Sequence, residues 1–272
     1  MNLIAVNQVT TLGWDLPEAL GRYAEHGFEG VGLFRRKVDD CGIDAAVDAV
    51  HAGGLKVTSL GMAGGFTGSD VLSYDQAIDD GIDAIEHAMR LGAGNVIVIA
   101  GGRNGHTLTH ARRSVVRGLR ELAEVAEGCG VRVLLEPVAE GCGEYWSFIN
   151  TLSDALDIVH RVKRSALGLV CDLYHVGLSS QEADIWDRAA EHIGLVQLAD
   201  GRGSPMGETN RCLLGDGCVP LSDMLERILN NGFTGPIEVE VYGEDVESLS
   251  PDAVLDHSRR YIDHLFGAVG AR

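Results

Sequence analysis

Val131-Arg132-Val133-Leu134-Leu135-Glu136, followed at once by Pro137, is the stretch that decides how this chain folds. It is short and apolar almost throughout, the pattern of a strand buried on both faces, and it ends on a carboxylate. Nothing inside a hydrophobic core can leave a charge there without a partner. Residues 167–172, 195–197 and 237–240 end in the same way, on Asp172, Gln197 and Glu240. A divalent metal ion is the obvious common partner for all four.

Outward from this strand, short apolar runs alternate with longer amphipathic ones, and eight such pairs can be counted. On the N-terminal side, residues 3–6 precede a helix that opens at Asp15, where Asp15-Leu16-Pro17-Glu18 sets an N-cap before a first-turn proline. Strands at 30–34, 56–60 and 95–100 lead to helices over 43–52, 75–91 and about 109–128. The strand carrying Glu136 leads to a helix over 152–162. Strands at 166–172, 195–199 and 236–241 then lead to helices near 182–190, over 221–231 and over 251–266. Runs such as Val96-Ile97-Val98-Ile99 read as parallel sheet covered on both faces, and eight of them predict a closed barrel. An open doubly wound sheet would carry a Gly-x-Gly-x-x-Gly turn; the glycines at 61–65 and 101–102 lack that spacing. The expected fold is therefore α/β, a single (β/α)8 TIM barrel. A length of 272 residues suits one such domain over residues 1–272, with no linker or composition break. The long loops at 61–73, 137–151 and 201–220 all follow strands, the end at which such barrels keep their sites.

A net charge of −18 and a pI near 4.8 argue against nucleic acid, whose phosphates demand basic residues. No apolar run approaches membrane-spanning length and Met1-Asn2-Leu3-Ile4 has no basic lead-in, so the expectation is a cytoplasmic protein with no membrane partner. Six cysteines, none in Cys-x-x-Cys spacing, read as reduced structural thiols.

Strand ends and loops on the expected active face supply Glu136, Asp172, His175, Gln197 and Glu240. Two glutamates, an aspartate and an amide oxygen form a hard, oxygen-rich set, which favours one divalent ion such as Mn²⁺, Mg²⁺ or Co²⁺ over thiolate-type zinc. Leu134-Leu135-Glu136-Pro137, Val170-Cys171-Asp172-Leu173-Tyr174-His175, Val196-Gln197-Leu198-Ala199-Asp200 and the stretch from Gly232 to Val241 resemble the metal-site motifs of the xylose-isomerase-like barrels, the sugar phosphate isomerase/epimerase superfamily; Gly27-Phe28-Glu29-Gly30-Val31 is also similar. The resemblance covers nearly the whole chain. It implies that Glu136, Asp172, Gln197 and Glu240 bind one divalent metal. Many members place His where this chain has Gln197, and often an acidic residue where it has Gly32.

The resemblance and the chemistry together imply an isomerase or epimerase of a sugar or other polyhydroxy-ketone, with Glu136 and Glu240 moving protons to and from a metal-stabilised enediolate. A leaving group β to the carbanion would make the same site a dehydratase (lyase) of the dehydroshikimate or inosose type, and a non-catalytic barrel is the third reading. Abasic-site endonucleases are also related, but they use several metals, many histidines and a basic surface, which this acidic chain does not offer. His175 is expected either to reach a substrate oxygen or to be a helix-cap or core histidine. His106, Arg202 and Arg211 are candidate anchors for a substrate phosphate or carboxylate, or are solvated loop residues. Trp14, Phe34, Phe66 and Trp146 either wall the pocket or pack in the core. Glu238 is read as turned away from Glu240, towards the helix layer or solvent. Homo-oligomers are common among proteins of this kind.

Overall fold

The computed structural model describes residues 2–68, 72–178, 184–206 and 211–269. Eight parallel strands close into a barrel in chain order: β1 (Ile4–Asn7), β2 (Gly30–Phe34), β3 (Lys56–Gly64), β4 (Asn95–Ile99), β5 (Arg132–Glu136), β6 (Leu167–Asp172), β7 (Ile193–Leu198) and β8 (Ile237–Val239). β8 pairs back onto β1 and completes the ring. The α/β (β/α)8 expectation is thus the observed architecture. Every residue of β4, β6 and β7 is buried, because one face meets the helices and the other fills the barrel. Ile97, Leu134, Val170 and Leu195 form an apolar layer inside the barrel, apart from the larger core between strands and helices. Each such aliphatic side chain contributes about 1.5–3 kcal/mol by leaving water.

The outer helices are α1 (Leu16–Glu25), α2 (Arg35–Cys41), α3 (Ile43–Gly53), α4 (Tyr74–Leu91), α5 (Leu108–Cys129), α6 (Leu152–Val162), α7 (Leu173–Gly177), α8 (Ile185–Ala189), α9 (Leu221–Asn230), α10 (Glu244–Glu247) and α11 (Pro251–Val269). Local chemistry sets where several begin. Asp15 accepts the Glu18 N–H at the head of α1, Ser73 and Gln76 form a capping box on α4, and Thr107 and Thr151 cap α5 and α6. α8 is described only from Ile185; the expected start near Glu182 lies outside the described residues.

Three features differ from the sequence expectation. β3 runs on to Gly64, so Gly61 and Met62 belong to a strand end and not to a loop. The short helices α2 and α7 sit directly on the ends of β2 and β6, too brief for a 3.6-residue period to register. β8 stops at Val239, yet the Glu240 N–H still donates to the Leu198 carbonyl at 3.0 Å and holds that residue in register. No helix among the described residues is long and apolar enough to cross a membrane.

Candidate active site

A cleft opens at the C-terminal mouth of the barrel, and Glu136, His175, Gln197, Arg211 and Glu240 line its polar wall. Asp172 lies just beneath, with no solvent exposure. The ladder brings these residues together: Ile99 pairs with Glu136, Asp172 with Gln197, and Gln197 with Glu238. Strands that end at one level around a ring must present their terminal side chains to one space.

Most of these polar groups have close partners. Asp172 caps α7 through Oδ1, which accepts the Tyr174 N–H at 2.8 Å, and its Oδ2 takes the Arg211 guanidinium at 2.7 Å. Arg211 also donates to the Glu240 carbonyl at 2.9 Å and lies 3.1 Å from the Glu240 carboxylate. Its guanidinium is stacked between the rings of Tyr174 and Tyr242, 5.0 and 4.8 Å from their centroids. His175 Nε2 stands 3.8 Å from Glu136 and 3.7 Å from Asp172. The Ala139 N–H faces His175 Nδ1 at 3.4 Å, which assigns the ring proton to Nε2 and points it at the two carboxylates. Burial lowers the imidazole to about 4, so it is neutral at physiological pH. Gln197 donates an N–H to Glu240, while its Oε1 is buried without a hydrogen-bond partner.

Burial, and then the neighbouring carboxylates, raise Glu136 well above the usual range. Burial likewise raises Glu240, partly offset by Arg211. One guanidinium does not balance three buried carboxylates, and Glu136 and Asp172 bring a carboxylate oxygen each within 4.8 Å of one another. Excess negative charge, converging oxygens and an orphaned amide oxygen together fit a hard divalent cation.

The family model described as xylose isomerase-like TIM barrel matches residues 20–265. The chain belongs to the xylose isomerase-like TIM barrel family. It is 27% identical over 195 residues to the inosose isomerase of Halalkalibacterium halodurans, covering 70% of this chain and 68% of that protein. It is 33% identical over 132 residues to the 3-dehydroshikimate dehydratase of Pseudomonas aeruginosa, a match of 46% of this chain but only 20% of that longer protein. The IolI protein, solved with a bound zinc atom, superposes with a TM-score of 0.86 over 99% of both chains at 21% identity, a likeness of fold.

In this xylose isomerase-like barrel the other sequence candidates divide. Phe34 and Trp146 line the cleft with Met62, Leu33, Ile97 and Ile99, an apolar wall facing the charged one. Phe66 does not: it is fully buried, its ring pressed where a side chain on Gly118 of α5 would lie. Trp14 packs beside Tyr23 under the Arg22 guanidinium. His106 turns to the Thr67 carbonyl at 3.1 Å and stacks on His110. Arg202 is largely exposed and pairs with Asp245 at 2.9 Å. Loop position alone cannot tell an inward arginine from an outward one, and of the two only Arg211 turns in.

Glu238 also corrects the sequence reading. It is fully buried inside the barrel, because residues two apart on a strand share a face and Glu238 therefore sides with Glu240. Asp200 was not singled out from sequence. Its carboxylate accepts the N–H groups of Gly201, Gly215, Gly217 and Val219 at 2.8–3.1 Å and so folds the loop that carries Arg211. The available signal was an aspartate at the end of an apolar strand followed by a glycine-rich loop.

Proposed function

We propose that this barrel is a divalent-metal-dependent isomerase or epimerase of a small polyhydroxy-ketone. The observation that carries the reading is the buried set of Glu136, Asp172 and Glu240 with the unpartnered Gln197 Oε1. Glu136, Asp172, Gln197 and Glu240 would hold the ion, and His175 would donate from Nε2 to the carboxylates. A bound divalent ion supplies Lewis acidity, drawing electrons from a carbonyl and easing loss of the neighbouring C–H proton.

The chain's own groups supply the rest. Glu136 and Glu240 come from β5 and the end of β8, so two carboxylates reach a substrate in the cleft from different strands of the ring. Their burial makes each a stronger base than an exposed glutamate, the direction a general base requires. One removes the proton at a carboxylate oxygen and the other returns it. Return to the opposite face epimerises, and return to the adjacent carbon isomerises. Arg211, fixed between two tyrosine rings, presents a positive charge to oxygens that become negative. Phe34, Met62 and Trp146 shield the mouth from water.

The likeness to a 3-dehydroshikimate dehydratase supports a second reading, in which the same carboxylates remove a proton and a β-hydroxyl departs. Metal content by mass spectrometry, on protein purified without chelator, tests both. About one divalent ion per chain is expected, lost or weakened in Glu136→Gln and Glu240→Gln. No bound ion, and none on adding Mn²⁺, Mg²⁺ or Co²⁺, would sink the reading. Given metal, solvent deuterium appearing in a recovered ketose identifies the isomerase, and a new conjugated absorbance identifies the dehydratase.

A further inference from the structure

The end of the barrel opposite the cleft carries the opposite charge. Where β5 and β6 begin and α6 ends lies a cavity of about 500 Å³, lined by Arg132, His160, Lys163, Arg164 and His192 against one acid, Glu191. In a chain of net charge −18, five basic side chains against one acid reverse the sign of the surface locally.

Arg132 sets the base of this cavity. Residues 132, 134 and 136 share one face of β5: Leu134 belongs to the layer inside the barrel, Glu136 reaches the cleft, and Arg132 turns into the barrel floor. Two glycines give it room, since a Cβ on Gly168 of β6 or on Gly194 of β7 would fall within 2.8 Å of its terminal nitrogens. Among the described residues the half-buried guanidinium has neither a hydrogen bond nor a carboxylate partner, and burial lowers it below its ordinary value. A desolvated cation without a counter-ion carries a cost that a bound anion removes.

Cations also gather at helix C-termini to meet exposed carbonyls, and His160 and Lys163 stand in the last turn and at the C-cap of α6. That accounts for little here. Arg120 of α5 already donates to the Arg161 and Val162 carbonyls, at 2.9 and 3.5 Å, and Arg132 is not on a helix. Lys163 moreover takes the left-handed backbone, φ 55°, at which α3, α4 and α5 each end on glycine. Arg164 is neutralised by Glu124 and Glu127 at 2.5 and 3.2 Å, and the largely exposed Glu191 stands 3.6 Å from His192. Arg132, Lys163 and the edge-to-face pair of His160 and His192, 5.2 Å apart, remain around the hollow.

We propose that this floor cavity is an anion site, separate from the catalytic cleft, that takes a phosphate group with the Arg132 guanidinium at its base and Lys163 at its rim. A planar fork and a point-charge ammonium match a phosphate, whose oxygens carry up to two negative charges; a single carboxylate would leave most of these cations unmatched. The site stands whether or not the cleft binds a metal.

The test is calorimetry on the full chain, with and without chelator, titrated with inorganic phosphate and with glycerol 3-phosphate at constant ionic strength. The set is wild type, Arg132→Gln, Lys163→Gly and, as a control on the opposite face, Arg202→Gln. Wild type should bind at least one of the two anions saturably below about 10 mM, and neither chelator nor Arg202→Gln should change this. Arg132→Gln should weaken binding at least about tenfold, as loss of a charged hydrogen bond does, and Lys163→Gly at least about threefold. Lys163→Gly gives α6 the glycine cap of its neighbours and carries the test if Arg132→Gln does not fold. Tighter binding of glycerol 3-phosphate supports the site with an organic phosphomonoester as its ligand, and tighter binding of inorganic phosphate supports it with the free ion. The proposal is overturned by the absence of saturable binding, by binding that chelator abolishes, or by affinity unchanged in Arg132→Gln, or in Lys163→Gly where the former does not fold.

Discussion

Arg211 is fully buried, and what keeps it there is charge. It ion-pairs with Asp172 and Glu240, stacks on two tyrosines and accepts no compromise in position, because removing it leaves carboxylates desolvated and unpaired. In chelator-treated protein, Arg211→Leu should therefore lower the urea-unfolding free energy by about 3–5 kcal/mol. A loss under about 1 kcal/mol would mean that water already solvates the cluster. The carboxylates carry a pH signature as well. Burial raises Glu136 and Glu240 above the ordinary glutamate value of 4.5, so over that interval the folded chain holds protons that the unfolded chain releases. Their stability contribution is complete below the unfolded value and is lost as pH rises through the folded one. Urea midpoints of the chelated wild type, relative to Glu240→Gln, should thus fall between about pH 5 and about pH 8, whereas Mn²⁺ affinity, which needs ionised carboxylates, should rise over the same interval. A flat difference would place these groups in solvent.

At the scale of elements, the loop after β7 decides whether Arg211 arrives. Its anchor is Asp200, joined to Cys212 by an isolated antiparallel bridge and to four backbone N–H groups. Gly217 is small for a stated reason: a Cβ there would fall 2.0 Å from Asp200 Oδ1. Gly217→Ala should detach this anchor and misplace Arg211, lowering kcat/KM on whatever ketose the screen identifies by at least about tenfold. The thermal midpoint should move by only a few degrees, since the barrel strands are untouched. Equal kcat/KM would show that the loop finds its path without Asp200. The elements also show what periodicity can and cannot reveal. Strand ends bearing Glu136, Asp172, Gln197 and Glu240 were legible because a charge closing an apolar run is conspicuous. Phe66 and Trp14 were not, because an aromatic residue in a loop reads the same whether it faces a cleft or a core. Glu238 shares the inward face with Glu240, contrary to the sequence expectation, because side chains along a strand alternate with a period of two.

For the whole molecule, the interior holds more acid than base around one cleft, and an ion bound there stabilises the fold by mass action. Mn²⁺ at about a hundred times its dissociation constant contributes about 2.7 kcal/mol, and the midpoint of chelated protein should rise by roughly 5 °C or more on adding it. No rise would separate the acidic cluster from metal binding. The sequence by itself determined the barrel, because eight buried apolar runs with helical crossovers leave few other ways to hide both faces of a parallel sheet. It also determined which strand ends meet, since closing the ring places all of them at one mouth. Only the tertiary structure decided the rest: that Arg211 turns inward while Arg202 pairs with Asp245, that Asp200 gathers the N–H groups of Gly201, Gly215, Gly217 and Val219, and that Gly32 makes room for Glu238. These are contacts between residues far apart in the chain, set by where a side chain finds space and an opposite charge. Neither composition nor period encodes that.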